Sequence, residues 1–134
     1  LIDLVQRYRL GKKVKFINHC KEMPLAYSLA DIVVSASIEP EAFGRVAVEA
    51  QSMEKLISAS NIGGSNETII DEKTGFLFEA GNAKSLSRKI IHAIKMDESS
   101  LELIGKEGRK NIIKKFNVEK MCFSTYSEYK RLLN

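Results

Sequence analysis

The sequence predicts an α/β domain built on a doubly wound parallel sheet, with a helical C-terminus. Two observations support this class. Short apolar runs typical of strands alternate with segments in which apolar residues recur at the 3.6-residue spacing of helices. In addition, Ile32, Val33 and Val34 form an unbroken apolar run, which is typical of a strand buried on both faces of a parallel sheet.

The predicted elements alternate as far as the middle of the chain and are then all helical. Helices are predicted over residues 1–8, 23–30 and 44–54, and strands over residues 14–18, 31–37, 56–60 and 75–78. A glycine-rich loop and a short helical turn occupy residues 61–70. From Asn82 onward three helices are predicted, with Ser99 and Glu102 as a capping box for the second and Asn117 as the cap of the third. The third helix carries an apolar stripe of Val118, Met121, Cys122, Thr125, Tyr129 and Leu132.

Composition and charge restrict the classes of function. The 134 residues suffice for one domain, and no apolar stretch reaches the roughly 18 residues of a membrane span. The net charge of +4 is a mild excess without interleaved aromatic and basic residues, so no nucleic-acid partner is expected. Two cysteines without metal-ligand spacing predict neither a disulfide framework nor a metal site, and a reducing cytoplasm is expected.

Three loops of the predicted sheet are candidates for a ligand site, because doubly wound sheets bind ligands beyond the carboxyl ends of their strands. These loops are residues 18–22, 37–44 and 60–65. The middle loop leads into the segment EPEAFGRVAVEA, which places Glu41 and Glu49 on either side of Gly44. This segment is therefore the centre of the candidate site.

Three interpretations of Glu41 and Glu49 are open from the residues alone. A general acid/base pair would need carboxylates about 5 to 9.5 Å apart, whereas eight helical residues span about 12 Å. As ordinary charges, Glu41 would favour the positive end of a helix dipole and Glu49 would face solvent. As a binding site, Gly44 would let a phosphate approach free N–H groups at a helix N-terminus, while a carboxylate on each side accepts ligand hydroxyls.

The segment EPEAFGRVAVEAQ resembles the E-x7-E motif of the retaining nucleotide-sugar glycosyltransferases of family 4, or group 1, which have the GT-B fold. The resemblance extends through VKFIN, MPLAYSLADIVVSAS and SNIGGSNETIIDEKTGFLFEAGNAKSLSRKI to the closing FNVEKMCFSTYSEYKRLL. The segment AFGRVAVEAQ most resembles the corresponding segment of bacterial enzymes that build lipopolysaccharide and other envelope glycans. The resemblance implies that residues 1–134 form the Rossmann-like, donor-binding half of such an enzyme.

The resemblance also implies a role for each residue of the motif. Glu41, the implied catalytic residue, would contact the transferred sugar and support the charge that develops at its anomeric centre. Phe43, Gly44 and Arg45 would present backbone N–H groups to the sugar and the distal phosphate. Glu49 would hold the ribose hydroxyls.

Two further loops complete the site that the resemblance implies. Asn18, His19 and Cys20 would edge the nucleobase, largely through backbone groups. Gly63 and Gly64 would shape the neighbouring loop, either as a turn before a helix or in direct contact with the ligand. No metal or cofactor is implied; the substrate is a nucleotide-diphosphate sugar, in a UDP, GDP or ADP form that the residues leave open.

The sequence departs from the family pattern in three places. Glu54 and Leu56 stand where a glycine and a proline are common, which makes a left-handed helix cap costlier, and Asn18 stands where glycine is frequent. The family's diphosphate-gripping Arg and Lys, and its acceptor domain, would lie upstream of residue 1, in line with a chain that begins in mid-pattern without methionine. The isolated chain is therefore expected to bind a donor poorly and to catalyse nothing.

The function expected from the resemblance is retaining, hexosyltransferase-like transfer onto a bacterial glycan or lipid-linked acceptor, in the cytoplasm or at the inner face of the cytoplasmic membrane. Two alternatives remain open. One is a non-catalytic module that binds a sugar nucleotide or a partner. The other is a basic domain that docks on anionic membranes through the Lys/Arg-rich late helices.

Overall fold

The structure is a computed structural model that describes residues 1–133. It contains a three-stranded sheet flanked by helices. In chain order the elements are α1 (Ile2–Arg7), α2 (Met23–Ser28), β1 (Ile32–Ser35), α3 (Arg45–Ser52), β2 (Leu56–Ser60), α4 (Ser65–Thr68), β3 (Phe76–Phe78), α5 (Ala83–Lys95), α6 (Glu98–Lys115) and α7 (Val118–Leu133). Within residues 1–133, no helix combines the length and the apolar character needed to cross a membrane.

The sheet is parallel throughout, in the order β1-β2-β3, which confirms the predicted fold class. Val33 pairs with Ile57, and Ser58 pairs with Phe76. All five residues of the central strand β2 are buried. Burial on both faces, predicted for β1, is wrong at Val34, which is 40% exposed. The reason is that β1 lies at an edge of the described sheet, where the helices cover its faces less completely than those of β2.

The predicted strand over residues 14–18 is also wrong, since this segment is coil in the structure. Phe16 is 55% exposed and Ile17 is 83% exposed. β-branched and aromatic residues favour a strand only where a neighbouring strand supplies the hydrogen-bond ladder and a packed face. No described strand pairs with this segment, so its local preference for a strand is not realised.

The core lies on both faces of the sheet, as a doubly wound arrangement requires. Because side chains alternate along a strand, Ile57 and Ala59 of β2 face one cluster and Leu56 faces the other. The first cluster contains Tyr27, Ala47, Ala50, Ile57, Ala59 and Ile69, and the second contains Leu56, Phe76, Ala93 and Ile104. Helices α2 and α3 therefore cover one face of the sheet, and α5 and α6 cover the other.

The end of α3 and the start of β2 accommodate the departures from the family pattern at Glu54 and Leu56. Glu54 adopts the left-handed conformation with φ of 56°, where a residue other than glycine carries a cost of about 1–2 kcal/mol. Its carboxylate pairs with Arg109 at 3.7 Å, and Arg109 also donates to the Ser52 carbonyl. Leu56 is only 3% exposed, in the second core cluster. Both residues thus have local structural roles in the turn and the core.

Helix α6 approaches this turn closely because it carries Gly105 and Gly108 on the side that faces α3. A Cβ atom on Gly105 would collide with the Glu54 carbonyl oxygen. A Cβ atom on Gly108 would lie 3.1 Å from Gln51 Cγ and 3.1 Å from the Thr74 carbonyl oxygen. Two glycines within one turn of a helix therefore let the backbones of α6 and the α3–β2 turn come together.

The three C-terminal helices are confirmed, with one difference at a cap. Asp97, not the predicted Ser99, caps α6, because its carboxylate accepts from the Ser100 N–H at 2.9 Å and Ser99 lies inside the first turn. Hydrogen bonds from Ser99 and Ser100 lower the pKa of Asp97 to about 2. The predicted Asn117 cap is confirmed by a 2.8 Å bond from the Lys120 N–H. Every described residue of α7 is exposed, including its apolar stripe.

The close contact of α6 makes Gly105→Ala destabilising, although alanine is normally the better helix former by about 1 kcal/mol. The collision with the Glu54 carbonyl outweighs this gain, and we expect a loss of about 1–3 kcal/mol in the free energy of unfolding. Gly11→Ala is the matched control, because within residues 1–133 no heavy atom beyond Gly11 and its two chain neighbours lies within 4 Å of the added methyl group. Urea unfolding of the two variants measures the difference, and equal midpoints would contradict the packing described here.

Candidate functional site

The loop before α3 carries the first predicted carboxylate. Glu41 is exposed, and its Oε1 accepts a hydrogen bond from the Ser37 hydroxyl. Three residues later Gly44 has φ of 71° and ψ of 58°, a left-handed conformation that glycine adopts at little cost, and α3 begins at Arg45. Gly44 therefore forms a tight turn immediately before the helix.

The N-terminus of α3 directly follows the loop that carries Glu41. The N–H groups of Ala47, at 3.0 Å, and Val48, at 3.4 Å, both donate to the Gly44 carbonyl and close the first turn of the helix. No side chain among residues 1–133 caps the N–H groups that precede it. Free N–H groups at the positive end of a helix dipole form a site for an anion. The backbone around Phe43, Gly44 and Arg45 is thus suited to a phosphate group.

The backbone of the glycine pair Gly63-Gly64 packs directly against the backbone of the loop that carries Glu41 and Phe43. Gly64 donates its N–H to the Glu41 carbonyl at 2.8 Å. A Cβ atom on Gly63 would lie 2.5 Å from the same oxygen, and one on Gly64 would collide with the Phe43 carbonyl group. The glycines therefore allow two backbones to touch, a role that the sequence left undecided between a simple turn and contact with a ligand.

The second predicted carboxylate, Glu49, is held on both of its oxygens. The Tyr27 hydroxyl donates to Oε2 at 2.8 Å, and the Arg45 guanidinium donates to Oε1 at 2.9 Å. The Glu49 side chain is 33% exposed and Arg45 is 84% exposed, so the Arg45 pair is a surface contact. The carboxylate is oriented mainly by Tyr27, which is only 5% exposed.

Tyr27 is a functional candidate that the sequence reasoning missed, although it lies in the predicted helix over residues 23–30. Burial, its hydrogen bond to Glu49 and the negative charge of that carboxylate raise the pKa of Tyr27 to about 12. The hydroxyl therefore stays protonated at neutral pH and remains a donor to Glu49. A tyrosine one helix away from a candidate carboxylate, on the apolar side of that helix, is the signal that could have identified it.

A cavity of about 490 Å³ opens beside Glu49, between α2 and α3. Its volume is within the range of small-molecule sites. It is lined by Lys21, Met23, Pro24, Tyr27, Arg45, Val48, Glu49, Ser52 and Met53. The lining combines apolar surface with two cationic side chains and one oriented carboxylate. Such a cavity suits a partly apolar ligand that carries hydroxyl groups.

The predicted base-contacting residues lie close to this cavity in the chain but do not line it. Asn18 and His19 are exposed, and Cys20 is half-buried, all in the coil that precedes α2. Lys21, the next residue, does line the cavity. Glu41 and Glu49 share no hydrogen-bond partner in the part of the chain that the structure describes. Because the two carboxylates bind different side chains, the structure gives no support to a general acid/base pair.

Comparison with known proteins agrees with the fold described above. The family model described as "Glycosyl transferases group 1" matches residues 1–116. The chain is 32% identical over 120 residues to the capsular polysaccharide biosynthesis glycosyltransferase CapM of Staphylococcus aureus, covering 90% of this chain and 31% of CapM. Because the family model covers well over half of the sequence, the chain belongs to the group 1 glycosyltransferases.

Solved structures give the same result. The glycosyltransferase of Rickettsia africae superposes with a TM-score of 0.91 at 35% identity, covering 98% of this chain and 35% of that protein. The Anabaena protein HepE, in complex with UDP-glucose, superposes with a TM-score of 0.89 at 26% identity, covering 97% of this chain and 35% of HepE. The chain thus spans about a third of the length of the relatives it matches.

Because the pKa of Tyr27 is raised, part of the free energy of unfolding is lost at alkaline pH. The folded pKa of about 12 exceeds the ordinary value of 10.0, so the folded state retains the hydroxyl proton where the unfolded state has lost it. The contribution is fully present below pH 10 and is lost as the pH rises from about 10 to about 12. Denaturant unfolding at several pH values should therefore show a steeper alkaline decline for the wild type than for Tyr27→Phe. Parallel declines would contradict the buried bond to Glu49.

Proposed function

We propose that this chain is the donor-binding domain of a two-domain, retaining GT-B glycosyltransferase of family 4. In this proposal the full-length enzyme moves a hexose from a nucleotide diphosphate onto a bacterial envelope glycan, such as lipopolysaccharide, or a lipid-linked acceptor. The observation that carries the proposal is the uncapped N-terminus of α3, which lies between Glu41 on its loop and Glu49 one turn into the helix. A nucleotide sugar has phosphates in its middle and hydroxyl groups at both ends. This order matches a helix N-terminus between two carboxylates.

Each part of a nucleotide sugar has a proposed partner. The distal phosphate binds the N–H groups of residues 43–45, and the ribose hydroxyls donate to Glu49, whose oxygens Tyr27 and Arg45 orient. The base enters the cavity beside α2, near residues 18–21. The complex of HepE with UDP-glucose supports a nucleotide-sugar ligand for this fold. The base of the donor is left open among the UDP, GDP and ADP forms.

The proposed chemistry relies on positioning and on charge. Glu41 contacts the transferred sugar and supports the oxocarbenium-like charge at its anomeric carbon, while the helix N–H groups stabilise the leaving diphosphate. The leaving phosphate assists attack of the acceptor hydroxyl from the same face, which retains the configuration. No cofactor takes part in this scheme; the only small-molecule substrates are the sugar nucleotide and its acceptor.

The remaining parts of the enzyme are proposed to lie outside residues 1–134. These parts are the Arg and Lys that grip the diphosphate and the domain that binds the acceptor. The relative CapM is a capsular polysaccharide biosynthesis glycosyltransferase, which supports an envelope glycan as the class of product. The alternative is a non-catalytic module that binds sugar nucleotides, and contact with an anionic membrane is a further proposal that vesicle binding with and without salt would test.

Glu49→Gln should weaken nucleotide binding, because a charged acceptor for ribose hydroxyls becomes a neutral one. We expect about tenfold weaker binding of the nucleoside diphosphate that binds best among UDP, GDP and ADP. The ribose role predicts that the wild type prefers this nucleotide to its 2′-deoxy form and that the variant loses most of this preference. Calorimetry on the full-length protein measures both values.

Glu102→Gln is the matched control for this experiment, since Glu102 is an exposed glutamate on α6 that pairs with Lys106 at 2.8 Å. It should leave both affinities unchanged. An unaltered ribose preference in Glu49→Gln would exclude the assigned role of this carboxylate.

Glu41→Gln should separate binding from catalysis. Because Glu41 is assigned to the sugar and not to the nucleotide, the affinity for the nucleoside diphosphate should stay within about twofold. The rate of sugar transfer by the full-length enzyme should fall by about 10²–10³, the usual effect of losing one charge-stabilising group. Full activity in Glu41→Gln would remove this residue from the mechanism. Absence of transfer by the wild type, with binding intact, would favour the non-catalytic module.

A further inference from the structure

Helix α5 carries positive charge without any negative charge of its own. Its sequence AKSLSRKIIHAIK contains four Lys and Arg residues and no Asp or Glu. The formal net charge of the chain is +4, so the residues outside α5 balance to zero. Each other helix described in residues 1–133 that contains a basic residue also contains an acidic one. The excess charge of the protein is therefore concentrated on α5.

Three of the four cations lie on one exposed face of α5. At 3.6 residues per turn, Lys84, Arg88 and Lys95 fall within an arc of about 40°, along about 16 Å of helix. Ala93, on the opposite side, is buried in the second core cluster. None of the three cations forms an ion pair with a residue in the range 1–133. Their charges are thus free to bind an anionic surface.

The fourth cation, Lys89, lies at the flank of the helix. Its ammonium group pairs with the Asp71 carboxylate at 3.2 Å and with the Glu72 carboxylate at 3.3 Å. Lys89 is about 100° around the helix from Arg88, so these two carboxylates are held beside the exposed face. The charged residues that α5 itself presents on that face are all basic.

Two isoleucines lie on or beside the same face. Ile91, within the arc of cations, is 48% exposed, and Ile94, at its edge, is 71% exposed. Helices that lie on anionic membranes combine basic and apolar side chains, because cations meet the lipid phosphates while apolar groups enter the interface. An acidic peptide would complement the cations but would give the isoleucines no apolar layer. The combination therefore favours a lipid surface.

We propose that the exposed face of α5, formed by Lys84, Arg88, Ile91, Ile94 and Lys95, docks on an anionic membrane. The three cations bind lipid phosphates, and the two isoleucines enter the interface between headgroups and acyl chains. Docking rests on the proposed function in one respect, since a lipid-linked acceptor would bring the enzyme to such a membrane. Vesicle binding is measured without nucleotide and is therefore judged separately from donor binding.

Cosedimentation of the full-length protein with vesicles is the first measurement. The vesicles contain phosphatidylcholine, with or without phosphatidylglycerol. We expect binding only where phosphatidylglycerol is present. Binding should weaken at least about tenfold when the ionic strength rises from about 0.05 M to about 0.5 M, because salt screens charges at the membrane surface.

The triple variant Lys84→Gln/Arg88→Gln/Lys95→Gln tests the cations. Each basic residue near an anionic surface strengthens binding roughly fivefold, so we expect binding to fall about 100-fold. The three side chains are exposed, so the variant should unfold at the same temperature as the wild type. Its affinity for the nucleoside diphosphate should be unchanged.

Lys12→Gln/Lys13→Gln/Lys15→Gln is the matched control, because it removes the same net charge from exposed residues in the coil after α1. Its vesicle binding should stay within about threefold of the wild type, since the face of α5 is intact. Equal binding of the two triple variants would mean that only net charge matters and would overturn the inference.

Ile91→Ser/Ile94→Ser tests the apolar part of the face without a change of charge. We expect vesicle binding about tenfold weaker or more, since each isoleucine contributes at least about fourfold, the effect of one buried methylene. Poly-L-glutamate serves as the probe for an acidic protein. Wild type and the isoleucine variant should both bind it more weakly than the wild type binds vesicles.

Three further outcomes would overturn the inference. They are no binding to vesicles, equal binding with and without phosphatidylglycerol, and binding of poly-L-glutamate as tight as that of vesicles with no effect of the isoleucine variant. The last outcome would indicate an acidic protein as the partner of α5. Nucleotide binding without vesicle binding rejects membrane docking alone, whereas loss of specific nucleotide binding rejects the proposed function.

Discussion

The contact between two backbones, at Gly63-Gly64 and the loop of residues 41–43, is the constraint on which the candidate site depends. Gly64 donates to the Glu41 carbonyl, and neither glycine has room for a Cβ atom. This contact sets the point at which the chain enters α3, and therefore the direction of its free N–H groups. Helix α3 then buries Ala47 and Ala50 against the sheet, which leaves Glu49 half-exposed within reach of Tyr27.

Buried hydrogen bonds connect α3 to α6, the helix on the other face of the sheet. Gln51, fully buried, donates to the carbonyls of Ala47 and Thr68 at 3.1 Å each. Asn111 of α6 donates to the same Thr68 carbonyl at 3.1 Å. Each such bond contributes about 1 kcal/mol, but a buried partner left unpaired costs more, so α3, α4 and α6 are held in one arrangement. The cavity beside Glu49 is bounded on one side by α3, a helix of this group.

The sequence predicted those parts of the fold in which local preference and burial agree. Strand β2 was predicted residue for residue, because its apolar run between turns is also the centre of the sheet. The role of Gly44 was predicted from its missing side chain, which lets the backbone turn tightly before a helix. The strand predicted over residues 14–18 is wrong, because a strand needs a neighbouring strand, which the local sequence pattern does not reveal. Tyr27 and Gly105 were missed because their roles come from contacts with segments distant in the chain, Glu49 and the turn at Glu54.

The central claim is that Glu49 and the N-terminus of α3 form the nucleotide-binding part of the site. An amide-resolved NMR titration of the full-length protein with UDP, GDP and ADP tests it most directly. The account predicts saturable shifts at residues 18–27 and 43–49, strongest for one base, with the exposed face of α5 unaffected. Saturable shifts centred elsewhere, or no shifts at millimolar nucleotide, would contradict it.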